Sequence, residues 1–187
     1  MDRQRAIEIL NKHLTTENLV KHSYAVEAVM KALAERIAPD EVEEWSITGL
    51  LHDLDADLVD YRENPELHGP KTVEILKEEE FGNERMYHAI LAHNQETGTP
   101  ITNEFDRCLY AADPITGFIT AIALVYPDKK LSSVKVKSIT KRMKELRFAA
   151  GANREAMRSI EKLDIPFPEF AKLSLEAMQQ IADVLGL

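Results

Sequence analysis

The sequence holds one cysteine, Cys108, so no intramolecular disulfide can form and a reducing compartment is the simpler expectation. Flanked by Arg107 and an apolar run, Cys108 reads as a small buried hydrophobe. Seven Gly and eight Pro exclude a collagen-like or low-complexity chain. No uninterrupted apolar run reaches the length of a bilayer span. The opening Met1-Asp2-Arg3-Gln4-Arg5 leads into an amphipathic pattern and not an apolar targeting segment, so a cytoplasmic protein is expected. Val, Ile and Thr nowhere alternate with polar residues over a long stretch, which argues against strands. Positive charge is also short: 23 Lys and Arg face 32 Asp and Glu, for a net charge of -9. Such a surface repels nucleic-acid backbones and argues against binding of a nucleic-acid polymer.

What remains is helical periodicity almost everywhere, which predicts an all-α protein. Asp2 suits the N-cap of a first helix to about Leu14. A second helix follows Thr15-Thr16-Glu17 and runs to about Ile37. Asp40 is the expected cap of a third, which carries Trp45, Ile47, Leu50 and Leu51 and ends near His52-Asp53. Residues 54–67 read as an irregular acidic loop. Pro70 opens a fourth helix, and a fifth spans Glu84 to about Asn94. A sixth starts at Thr102-Asn103-Glu104. Its course at Asp113-Pro114 has two readings: Asp113 caps a new helix, or one helix continues with Asp113 facing inward. Lys129 to Arg147 holds eight of the 23 Lys and Arg and reads as a basic amphipathic helix closed by a left-handed Gly151. Asn153 caps a further helix, and Pro166 and Pro168 bracket the start of the last. The expected division is a core over 1–130 with a C-terminal helical extension over 131–187, packed on it.

Several polar side chains fall where apolar ones are expected. His22 shares the inward stripe of Val26 and Met30, and needs a hydrogen-bond partner or a metal there. His52 and Asp53 end a buried-looking helix and place imidazole beside carboxylate, half of a transition-metal site. His68 precedes the fourth helix. His88 and His93 point about 140° apart on one helix, so one at most serves a shared site. His93, at the helix end, is the better candidate.

The order His22, His52-Asp53, Asp113, within His22-Ser23-Tyr24-Ala25-Val26, Gly49-Leu50-Leu51-His52-Asp53 and Tyr110-Ala111-Ala112-Asp113, resembles the HD superfamily of metal-dependent phosphohydrolases. His68 in Leu67-His68-Gly69-Pro70 and His93 in Leu91-Ala92-His93-Asn94 look like the extra histidines of its binuclear branch, as in proteins that hydrolyse diadenosine tetraphosphate. The resemblance implies a helical bundle with a central site. It also implies one or two divalent metals, with Asp53 bridging: His22, His52 and Asp113 on one, His68 and His93 on the other. Many binuclear relatives continue the HD pair with Ile-Gly-Lys, where this chain has Leu54-Asp55-Ala56.

Mixed imidazole and carboxylate ligands suit Mn, Fe, Zn or Co, with Mg as a further option. Asp55 and Asp57 are candidates for a general base or an outer-sphere water. Lys141, Lys144 and Arg147 are candidates for neutralising a small phosphorylated substrate. Two other functions use the same residues: a nucleotide-binding sensor without turnover, and a di-iron oxygenase.

Overall fold

The computed structural model describes residues 1–187 as ten α-helices with no strand. They are α1 (Arg3–His13), α2 (Glu17–Ile37), α3 (Val42–Leu51), α4 (Pro70–Glu78), α5 (Glu84–His93), α6 (Glu104–Val125), α7 (Val136–Arg142), α8 (Arg154–Arg158), α9 (Phe167–Gln180) and α10 (Ala182–Leu185). Short side chains open four of them by accepting a backbone N–H: Asp2 from Gln4, Asn83 from Met86, Asn103 from Asp106 and Asn153 from Ala156. Asp40 is not the cap of α3. It lies in a 3-10 turn over Pro39–Glu41, and the Glu41 carboxylate instead accepts from the Trp45 indole one turn on.

α2 is the spine. It packs on α3 along most of its length, and on α6, α9 and α10. α6 is the second buried helix, lying against α2, α5, α8 and α9. By length and composition α6 is apolar enough to cross a membrane. In this fold Phe105, Leu109, Ile115, Phe118, Ile119 and Ile122 are instead fully committed to the core. Pro114 sits inside α6 without ending it, so Asp113 is a mid-helix side chain and not a cap. One hydrophobic core runs from Ala6 to Leu185 and takes in Leu131, Ile139, Met157, Phe170 and Met178. Residues from both sides of position 130 therefore share it.

The basic segment departs from its periodicity. α7 stops at Arg142 and the chain turns back over 143–152. One side chain gathers the turn. The Arg154 guanidinium donates to the carbonyls of Glu145, Phe148, Ala149 and Ala152 and lies over the Phe118 ring. The Glu145 and Ala149 carbonyls also accept backbone N–H groups three residues on, in turns and not in a continued helix. Ala149, not Gly151, takes the left-handed backbone, with φ 43°.

α3 meets α2 at Gly49. A Cβ there would lie 2.9 Å from the Val26 carbonyl oxygen and 3.0 Å from Met30 Cγ. His22 and His52 flank this crossing, their ring centroids 5.3 Å apart. Gly49→Ala must push the helices apart, because the obstacle is backbone. The expected cost is about 1–3 kcal/mol, read as a fall in Tm of roughly 3–10 °C. Metal affinity should fall with it, since the separated helices carry His22 and His52.

Glu79 ties the end of α4 to α1. Its carboxylate accepts from His13 Nε2 at 3.0 Å, Lys12 Nζ at 2.6 Å and Arg5 at 2.7 Å. The hydrogen bonds from His13 and then Lys12 hold its carboxyl down to about 2. Its unfolded value is about 4.3. A carboxyl depressed by folding stabilises the protein above the unfolded value, and that contribution is lost as pH falls towards the folded value. Glu79→Gln should therefore lower Tm at pH 7 by roughly 2–4 °C. The difference from wild type should shrink between about pH 4.3 and pH 2, as melts across that window will show.

Candidate metal centre

Five segments bring their polar residues to one place. His22 comes from the second turn of α2. His52 and Asp53 follow the end of α3. His68 stands before α4, where Gly69 turns the chain with φ 95°. His93 is the last residue of α5, and Asp113 lies midway along α6. The ligand-type atoms fall into two groups that share Asp53. One is His22, His52, Asp53 and Asp113, the other Asp53, His68 and His93, with atoms within 4.8 Å of one another in each.

His22 Nε2 lies 3.0 Å from Asp113 Oδ1 and 3.5 Å from Asp53 Oδ2. His52 Nε2 is 3.2 Å from Asp53 Oδ1 and 3.8 Å from Asp113 Oδ1. In the second group, Asp53 Oδ1 is 3.3 Å from His68 Nε2 and 3.5 Å from His93 Nε2, and the two nitrogens are 3.1 Å apart. Donors around one ion at about 2.1 Å stand roughly 3.0–3.4 Å from each other. The observed spacings fit that geometry.

The other ring nitrogens show which atoms are free to ligate. His52 Nδ1 donates to the Gly49 carbonyl at 2.9 Å, and His93 Nδ1 to the Ile90 carbonyl. His68 Nδ1 donates to Asp55 Oδ1 at 2.7 Å. His22 Nδ1 donates to Thr116 Oγ1 at 3.2 Å, because that hydroxyl gives its own proton to the Asp113 carbonyl. With Nδ1 engaged in every ring, each Nε2 faces inward, as ligation of a bound cation through Nε2 requires. His52 Nε2 and Asp53 Oδ1 are buried without a hydrogen-bond partner in the protein. The donor set therefore fits a divalent cation.

The electrostatics agree. Burial alone raises the Asp53 carboxyl, but the neighbouring imidazoles of His52, His68 and His93 hold it well below the usual carboxylate range. Burial likewise opposes ionisation of Asp113, and the neighbouring imidazoles of His22 and His52 reverse that. Burial disfavours charge on His68, yet the adjacent carboxylates of Asp53 and Asp55 push it up to about 10. A metal entering beside His68 must displace that proton.

The remaining expected site residues separate. Asp55 does not face solvent as a base would. It is fully buried and accepts from His68 Nδ1, from Gly69 N at 2.7 Å and from Thr72 N at 3.2 Å. It orients His68. Asp57 turns away to the start of α2, where its carboxylate accepts from the backbone N–H and hydroxyl of both Thr15 and Thr16. Those bonds hold it down to about 2. Lys141, Lys144 and Arg147 are exposed and line no part of the cleft over the ligands. Lys141 borders a separate pocket beside Tyr126. His88 pairs with Asp106 at 3.1 Å, away from the cluster.

The cleft holds about 600 Å³ and is bounded by His22, His68, His93 and Asp113 on one side and residues 149–153 on the other. Three contributors were not singled out from sequence. Asn94 donates to the Pro65 and His68 carbonyls and fixes the approach to His68. Tyr61 stands edge-on to His68, its ring centroid 5.6 Å away. Arg154 holds the opposite wall. A polar residue directly after His93 was a readable signal for Asn94. Nothing local marked Arg154.

The HD domain family model matches residues 19–117, which span every ligand from His22 to Asp113. The chain belongs to the HD domain family. HD domains are generally metal-dependent phosphohydrolases that bind divalent cations, and the His and Asp groups here are compatible with that chemistry. The HD match ends inside α6, so the wall at 149–153 comes from outside the family's common region. No curated protein and no solved structure matches the chain.

Proposed function

We propose that this HD protein hydrolyses a nucleotide or another small phosphate ester at a centre of two divalent metals bridged by Asp53. The observation that carries the reading is the inward-facing Nε2 of each of four histidines around one shared carboxylate. His22, His52 and Asp113 would hold one metal, and His68 and His93 the other. When bound, such metals supply Lewis acidity at the phosphoryl oxygen and a water acidic enough to attack near neutral pH.

The chain's own groups do the rest. Asp55 keeps His68 turned inward, and Thr116 does the same for His22. Glu96 is the one carboxylate lining the cleft apart from Asp113. It is placed to accept a proton through water, a role that neither Asp55 nor Asp57 is free to play. Tyr61 offers an aromatic face at the mouth for a base or other flat group.

The test is elemental analysis after anaerobic purification and after reloading with Mn, followed by a phosphoester panel. Two metals per chain with phosphate release support the reading. The double change His52→Ala and Asp53→Ala should remove both. Unchanged metal content and phosphatase activity in that variant would overturn the proposal. Oxygen consumption without phosphate release would replace it with the oxygenase.

A further inference from the structure

Beside the cleft lies a second cavity of about 550 Å³. Gln95 and Tyr110 line both spaces. The chemistry changes across that shared wall. No Lys or Arg lines the cleft over the ligands. The second cavity is lined by Arg107, Arg158 and Lys162 against one acid, Glu155. Three cations less one carboxylate leave a surplus of two positive charges, in a chain whose net charge is -9. Arg107 and Lys162 are engaged in no ion pair. Arg158 rests over the Phe167 ring and reaches Glu161 only at 3.6 Å.

Tyr110 adds a second observation. It is 5% exposed, and its hydroxyl meets no partner at hydrogen-bonding geometry, although Asn153 lies near. Buried hydroxyls in native proteins are completed by a neighbour, a water or a ligand. This one sits on the wall between the ligand cluster and the three cations.

We infer that the second cavity receives a second phosphate group of the same substrate, so that the protein acts on molecules carrying two phosphates apart from each other. One phosphate faces the metal ligands. The other is held by Arg107, Arg158 and Lys162, with Tyr110 in the wall between them. A phosphate monoester carries nearly two negative charges at neutral pH, which matches the surplus in the cavity. The shared wall favours one bridging substrate over an independent anion. This inference rests on the phosphohydrolase reading.

The test uses metal-loaded protein and alkanediol bisphosphates of increasing length, each compared by calorimetry with its alkyl monophosphate. These probes have no base, so they isolate the phosphate contribution. Wild type should bind the best bisphosphate about tenfold or more tightly than its monophosphate. The double change Arg107→Gln and Arg158→Gln should collapse that preference to about twofold or less while metal content stays constant. Tyr110→Phe should reduce it partway. Lys141→Gln with Lys144→Gln should leave it intact. Wild type that holds metal and monophosphate but shows no preference overturns the inference and leaves the hydrolase reading standing. A preference that survives in the arginine variant, or vanishes in the lysine variant, also overturns it. Wild type that holds no metal overturns both.

Discussion

Asp53→Asn is expected to strip the protein of metal and to lower phosphoester hydrolysis by about a thousandfold or more, since changes in outer-shell partners alone cost about 10–100-fold. The substitution keeps the shape of the side chain and removes its charge. Asp53 Oδ1 faces His52, His68 and His93, and Oδ2 faces His22. No other side chain belongs to both ligand groups. An amide in its place offers one neutral oxygen to one group and turns an NH₂ towards the other. Elemental analysis on wild type and variant, purified together, is the direct check. Full metal content in the variant would show that Asp53 does not bridge.

Asp55→Ala should be the most damaging change outside the ligands. It removes the acceptor of three buried donors: His68 Nδ1 and the backbone N–H groups of Gly69 and Thr72. Breaking one side of a buried charged hydrogen-bond set costs about 3–5 kcal/mol, a fall in Tm of roughly 6–20 °C. Asp55→Asn is the milder partner experiment, because it keeps the volume. Its expected effect is selective: metal held by His68 and His93 weakens by about 10–100-fold, while the group with Asp113 is spared. A metal titration should then show two unequal sites. Equal weakening of both would mean that Asp55 acts on the whole fold and not on His68.

These two acids also show what the sequence made legible. His22, His52 and Asp53 stood out as polar groups on an apolar stripe or at a helix end, and the resemblance to HD proteins added His68, His93 and Asp113 as candidate ligands. Helix spacing permitted His22, His52 and Asp53 to meet, and the shared site of all six was what the resemblance implied. Asp53, Asp55 and Asp57 alternate along one turn, and there the sequence is mute. Two residues of displacement decide whether a carboxylate meets the metal ligands, supports a histidine from behind or closes the end of α2 through Thr15 and Thr16. The same limit applies beyond Lys129. Periodicity there describes a helix that Arg154 interrupts from outside the segment. Side-chain contacts to backbone carbonyls of that kind leave no periodic pattern.

α6 has one more consequence. Arg107, Tyr110, Asp113, Pro114 and Gly117 follow one another along it, and Thr120 and Leu124 continue the row beside a further cavity that His22 also lines. The opposite side of the helix carries Phe105, Leu109, Ile115, Phe118, Ile119 and Ile122 into the core. A side chain added at Gly117 would meet nothing within 4 Å. The two vocabularies of this protein, what it accepts and how it stands up, are thus written on separate sides of a single rod. Mutation can revise the first at Arg107, Gly117 or Thr120 while leaving the second unread.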